Sequence, residues 1–244
     1  MKKSLKIILI ISLVVNSVFI VGTSYILLKR GGIEHITTDV KAVIGNNASS
    51  FKQLAHYRSR VSLFKKLEIK EDNIVFMGDS LTQRGEWAEI FNNPKVVNRG
   101  IDSDKTAGLL NRIEHVAKNH PKKIFLLIGI NDINKGINEK EILTNYEKII
   151  STIKTTSPKT QIYIQSLLPV NKTKYLHPID NEKVRVVNKE LQTLAIQEKV
   201  MYIDLYSLLV KNDELNEEYT RDGIHLTGDA YMIWKNAVEQ YVNE

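Results

Sequence analysis

The stretch IVFMGDSLTQ, residues 74–83, decides how the chain is read. Four apolar residues run into Gly78, Asp79 and Ser80, and then the pattern turns polar. A short apolar run bounded by turn residues reads as a buried strand. This one empties into a small, sharply turning segment with a serine at its tip. Two readings compete. Gly, Asp and Ser are ordinary residues of a surface turn. They are also what holds a nucleophile at the edge of a sheet.

Outward from that stretch the same punctuation recurs. Short β-rich runs at 74–77, 95–97, 124–128, 161–165 and 200–203 alternate with helical patterns near 104–119, 139–156, 180–198 and 227–242. Phe51, Leu54, Val61, Phe64 and Leu67 recur at roughly helical spacing and predict an earlier helix over 49–67, with Asn47 or Ser49 as cap. Residues 124–128 are continuously apolar, as expected of a strand covered on both faces. Strand and helix in alternation argue an α/β domain with a parallel sheet.

Ligands of such sheets sit at the carboxyl ends of the strands, so the residues there are the test of function. They are Gly78-Asp79-Ser80-Leu81, Asn98-Arg99-Gly100, Gly129-Ile130-Asn131-Asp132 and Ser166-Leu167-Leu168-Pro169. Asp222-Gly223-Ile224-His225 then stands ahead of the last helix. A serine hydroxyl needs a base to take its proton, and the base needs a partner that fixes its tautomer. The oxyanion that develops needs donors aimed at it. A serine, an asparagine, an acid and a histidine on one predicted edge supply those types. Singly each has a plain structural reading: Gly100 as a turn residue, Asn131-Asp132 as a helix cap, Asp222-Gly223 as a tight turn.

Among the six histidines, His225 is set apart by an acid three residues before it in a turn that opens a helix. His177, with Asp180 three residues on, is its rival as base. His115 falls inside a helical pattern, and His120 ends it. His35 and His56 precede the first strand. No G-x-S-x-G surrounds Ser80, and no H-E-x-x-H, P-loop or G-x-G-x-x-G occurs. One Asp-x-x-His pair offers too few ligands for a metal, so neither metal nor cofactor is expected. The chain has no cysteine, which removes disulfides and thiolate catalysis.

The blocks GDSL at 78–81, glycine at 100, GIND at 129–132 and DGIH at 222–225 resemble the SGNH/GDSL hydrolase family. The text GDSLTQRGEW, NRGIDSDKTAGLLNRI and RDGIHLTGDAY is most similar to its bacterial branch related to platelet-activating-factor acetylhydrolase. The resemblance implies a three-layer α/β/α, flavodoxin-like fold with a five-stranded parallel sheet. It implies Ser80 as nucleophile, and an oxyanion hole made by the amides of Ser80 and Gly100 and the side chain of Asn131. It makes His225 the base and Asp222 its orienting partner. Short-acyl esters, including acetyl groups on sugars or lipids, are the implied substrates. A lysophospholipase, lipase or thioesterase is the enzymatic alternative, and a silent binding module the non-enzymatic one. The segment 166–180, with Leu167, Leu168, Tyr175 and His177, is expected to line the acyl or alcohol site.

The net charge of +6 is unevenly spread. Residues 1–30 carry five basic groups and no acid, whereas residues 74–244 carry 22 basic and 23 acidic groups. The domain is nearly neutral and leaves no electrostatic footprint for nucleic acid. The basic excess brackets 22 uncharged residues, 7–28, long enough as a helix to cross a bilayer core of about 30 Å. Residues 1–30 are therefore expected to be a signal anchor, 31–48 a spacer and 49–244 the hydrolase domain. The flanking charges favour a single-pass protein of the bacterial cell membrane with its domain outside. A cleaved signal peptide, and hence secretion, is the alternative.

Overall fold

Side chains alternate across β1 (Ile74–Gly78), so one strand feeds two cores. Val75 and Met77 enter one, Ile74 and Phe76 the other. β2 (Val96–Gly100), β3 (Lys123–Leu127), β4 (Gln161–Gln165) and β5 (Met201–Ile203) join it in a five-stranded sheet of order β2-β1-β3-β4-β5. Every pairing is parallel. The strand order reverses at β1, so the carboxyl ends of β1 and β3 flank the crevice where doubly wound sheets bind ligands.

This computed structural model describes residues 55–244 apart from 176–178, together with positions 12, 16, 17 and 25. The chain divides into two units, Met1–Leu54 and Ala55–Glu244, and the sheet belongs to the second. Apart from those four positions, the segment 7–28 expected to cross a membrane, the spacer 31–48 and the caps Asn47 and Ser49 lie outside the described residues. Among the described residues no helix is long and apolar enough to cross a membrane.

Helices cover both faces of the sheet. On one, α4 (Thr106–Ala117), α6 (Glu139–Thr156) and α7 (Asn181–Gln197) bury Leu109, Ile113, Ile149, Ile153, Val187 and Leu191 against Val75, Ile124 and Ile164. This core is mainly aliphatic. The other is ring-rich, under α3 (Trp87–Ile90) and α8 (Gly228–Asn243). Phe76 stacks on Trp87 at 4.5 Å and on Phe125 at 4.7 Å, and Trp234 meets Trp87 edge-on at 4.7 Å. α1 (Ala55–Phe64) precedes the sheet and reaches α4 through the Tyr57 hydroxyl, which donates to the Gly108 carbonyl at 2.7 Å.

The strand–helix alternation read from the sequence is present, with the 139–156 helix matching its expected limits. Two boundaries differ in ways that matter. Asn98, Arg99 and Gly100, expected beyond the second strand, lie within β2, with Gly100 opposite Gly78. Polar text hid a strand whose pairing supplies what its composition lacks. Ser80, expected in a turn, opens a helix, α2 (Ser80–Gln83). A hairpin not foreseen joins β6 (Val210–Lys211) to β7 (Glu214–Leu215). Its two-residue loop, Asn212-Asp213, has φ of 52° and 62°, as a type I′ turn requires.

Candidate active site

The serine is held by its own short helix. Asp79 caps α2, its Oδ1 accepting the Leu81 N–H at 3.0 Å, and Ser80 follows as the first helical residue. A Cβ on Gly78 would sit 2.2 Å from Thr82 Oγ1 and 2.3 Å from the Leu127 carbonyl, so only glycine lets α2 fold back this closely on the strand. The carbonyls of α2 are then tied down from three directions. Tyr231 Oη donates to Leu81 at 2.7 Å and Trp87 Nε1 to Thr82 at 2.8 Å. Asn98 Nδ2 lies 2.9, 3.0 and 2.9 Å from the carbonyls of Thr82, Gln83 and Gly85.

His225 Nε2 stands 3.0 Å from Ser80 Oγ, across 145 residues of chain. Its Nδ1 stands 2.6 Å from Asp222 Oδ2. An ionised carboxylate only accepts, so Nδ1 carries the proton and Nε2 is left to accept from the serine. The other Asp222 oxygen accepts the amides of Ile224 and His225 at 3.1 and 2.8 Å. Burial raises the Asp222 carboxyl, but the His225 ring and these two amides outweigh it and hold it at about 2. Gly223 makes the turn possible. Its φ is +89°, and a Cβ would lie 2.5 Å from the Tyr175 nitrogen and 2.6 Å from the Asn171 carbonyl. The Asn171 N–H donates to the Gly223 carbonyl at 2.8 Å, so the segment after β4 braces the base-bearing turn.

Beneath Ser80 lies a dry cluster of acids. Asp104 is fully buried and takes Arg112 in a two-pronged ion pair, 2.9 Å from Nε and 2.8 Å from the second terminal nitrogen. Arg112 also donates to the Arg99 carbonyl at 2.6 Å and the Gly78 carbonyl at 3.0 Å, clasping the ends of β2 and β1. Asp132 accepts both the amide and the hydroxyl of Thr106, at 3.0 and 2.6 Å, capping α4 from across the crevice. Burial raises Asp104 to about 6, with Arg112 opposing it. Burial raises Asp132 to about 7, with Thr106 opposing. Asp79 rises furthest, to about 8. Burial drives it, Leu81 opposes it, and Asp104, Asp132 and Asp102 add to it. Its Oδ2 has no hydrogen-bond partner.

The expected oxyanion donors are placed as follows. Asn131, in α5 (Ile130–Asn134), spends one Nδ2 hydrogen on the Asp104 carbonyl at 3.0 Å. The Gly100 N–H donates to Asn98 Oδ1 at 2.8 Å. Leu167 and Leu168, expected to line the acyl or alcohol site, are core residues on opposite faces of the sheet. Their apolar side chains at the end of a strand packed inward instead. Tyr175 is partly buried, its hydroxyl 3.3 Å from Asn134 Nδ2. His177 lies outside the described residues, and its supposed partner Asp180 caps α7 by accepting the Glu182 N–H at 3.0 Å. Among the described residues no group of three His, Cys, Asp or Glu is placed to hold a metal ion.

At the carboxyl edge of the parallel sheet, Ser80, His225 and Asp222 are thus hydrogen-bonded in series, the set of residue types that serine hydrolases use. The chain belongs to the GDSL-like lipase/acylhydrolase family, whose profile matches residues 76–233. It is similar to a structure from Streptococcus pneumonia described as a platelet activating factor, with 31% identity and a TM-score of 0.70 over 77% of this chain and 92% of that one. It is 28% identical to the platelet-activating factor acetylhydrolase IB subunit alpha1 of Bos taurus, over 66% of this chain and 71% of the relative. It is 24% identical to an N-acylneuraminate cytidylyltransferase of Streptococcus agalactiae over 74% of this chain, but it spans only 41% of that protein.

Proposed function

We propose that the chain is a serine esterase that removes short acyl groups, acetyl foremost, from carbohydrate or lipid of the bacterial cell envelope. The observation that carries this reading is Ser80 Oγ at 3.0 Å from His225 Nε2, with Nδ1 held by Asp222 at 2.6 Å. The acetyl preference draws on the acetylhydrolase named among its relatives. In this reading residues 7–28 tether the domain, 49–244, to the outer side of the membrane.

Ser80 Oγ bonds to the ester carbonyl carbon as its proton passes to His225 Nε2. Asp222 stabilises the imidazolium that forms. The oxyanion is met by the Ser80 amide, by the Nδ2 hydrogen that Asn131 does not give to Asp104, and by the Gly100 amide, which must then share or leave Asn98 Oδ1. The C–O bond breaks as His225 returns the proton to the departing alkoxide. Water, deprotonated by His225, then hydrolyses the acyl-enzyme and releases the carboxylic acid.

The test is a series of p-nitrophenyl esters from acetate upward, with acetate release from O-acetylated glycans measured in parallel. Turnover is expected to be greatest on acetate and to fall by several orders of magnitude in Ser80→Ala. An unchanged rate in that variant overturns the relay. A maximum on long-chain esters makes the chain a lipase instead.

A further inference from the structure

Two arginines, one from α1 and one from β2, lie against the ring of a single phenylalanine. Arg60, one turn before Phe64 on α1, lies with its guanidinium carbon 4.6 Å from the centre of the Phe64 ring. Arg99, from β2, lies 5.1 Å from the same centre. Each has a buried Nε with no hydrogen-bond partner. Arg99 is 5% exposed and gives its terminal nitrogens to the carbonyls of Asn98 at 2.9 Å and Glu68 at 3.4 Å. No ion pair among the described residues ties either guanidinium to a carboxylate. Arg112, the third arginine here, is taken by Asp104.

Buried charges are ordinarily paired, and an unpaired buried donor is costly. Two like charges sharing one aromatic ring compound that cost. Burial, then the charges of Arg60 and Arg112, depress the Arg99 guanidinium to about 10. Guanidinium groups grip a compact anion with several acceptor oxygens through paired N–H donors. Along the same segment Arg58, Lys65, Lys66 and Lys70 are exposed, as are the acids Glu68, Glu71 and Asp72. Leu63 and Leu67, four residues apart on the same segment, are also exposed, at 45% and 44%. Basic side chains interleaved with exposed leucines are the chemistry of contact with an anionic lipid surface.

We propose that Arg60 and Arg99, gathered on Phe64, form a binding site for a phosphate-class oxyanion, supplied either free or as the phosphodiester of an anionic lipid headgroup. The site is distinct from Ser80 and holds whether or not the chain is an esterase. It would fix the domain's orientation on a membrane rather than take part in ester cleavage.

The test uses the full chain in neutral-detergent micelles and reads its thermal midpoint. One arm titrates inorganic phosphate against chloride at matched ionic strength. The other dopes the micelles with phosphatidylglycerol against phosphatidylcholine. A saturable rise in midpoint is expected in at least one arm, with the apparent affinity at least tenfold weaker in Arg60→Gln. Turnover of a soluble acetyl ester by Arg60→Gln is expected to be unchanged. A response to phosphate alone assigns a soluble anion, and a response to phosphatidylglycerol at lower molar excess assigns the headgroup. Arg99→Lys, which keeps the charge but removes the planar fork, should lose most of the response. If Arg99→Lys fails to fold, the half-buried Arg60→Gln decides alone. No midpoint shift in either arm, or an undiminished shift in Arg60→Gln, overturns the proposal.

Discussion

Two sets of carboxylates surround Ser80, and they live in opposite environments. Asp79, Asp104 and Asp132 are dry, each essentially without exposed surface. The Asp222 side chain is 52% exposed. The dry set touches backbone and structural side chains: the cap of α2, the clasp on the ends of β1 and β2, the cap of α4. The wet member touches the histidine that reaches the serine. Burial pushes the first three carboxyls up, while hydrogen bonds hold the fourth down. The difference separates two tasks. A carboxylate that must stay charged beside an imidazolium is best kept partly in water. Carboxyls that fix geometry gain from a low dielectric, provided each has a partner.

The contrast is broken most sharply at its wet end. Asp222→Asn keeps an oxygen for the Ile224 and His225 amides but removes the charge that selects the His225 tautomer. If the proposed mechanism holds, kcat on an acetyl ester should fall by about four orders of magnitude, as when the triad carboxylate of a serine protease is neutralised. The urea midpoint should barely move, because surface substitutions typically stay within about 0.5 kcal/mol. A stability loss that matches the loss of rate would place Asp222 with the dry set.

At the dry end the order reverses. Asp104→Ala strands the Arg112 guanidinium among buried carbonyls, and breaking a buried pair in this way costs about 3–5 kcal/mol of stability. Arg112→Ala should cost about as much. The double variant should cost clearly less than the two losses together, because both remove one interaction. Urea unfolding of the four proteins checks this. Additive losses would mean that Arg112 is held by the Gly78 and Arg99 carbonyls rather than by Asp104.

The sequence was legible at the wet end and nearly silent at the dry end, and the reason is physical. Asp222 and His225 sit three residues apart in one turn, so their pairing is local and spacing exposes it. Ser80 follows an apolar strand that announces itself. The dry contacts join residues far apart in the chain: Arg112 to Gly78 across 34 positions, Asp132 to Thr106 across 26. None of these partners stands at a local spacing that would betray the contact. Asp132 did stand in a quoted block, but its plain reading as a cap for its own helix missed that it caps α4. Asn98 and Gly100 lie in polar text, NRG, that carries no strand pattern, yet β1 pairs with them in register. Asn98 shows what such text conceals: its Oδ1 accepts the amide of Gly100 two residues on, while its Nδ2 donates to carbonyls of α2.

The smallest expected effect lies inside the dry set and concerns pH. The Asp79 carboxyl titrates near 3.9 in an unfolded chain and at about 8 when folded. Between those values the folded protein holds a proton that the unfolded chain has released. The contribution of Asp79 to stability is therefore whole below about pH 4, shrinks as pH rises, and levels off above about pH 8. Asp222, held at about 2, acts with the opposite sign, and its contribution is lost as pH falls from about 4 toward 2. Asp79→Asn keeps the Oδ1 acceptor for Leu81 and cannot ionise. Relative to the parent its stability should rise progressively as pH goes from 5 to 8, because only the parent must keep a proton that its unfolded chain has released. Urea midpoints across that range read the difference directly. A parallel pair of curves would mean that Asp79 is already ionised throughout the range, its unpartnered oxygen compensated by water, and that burial alone does not divide the two sets.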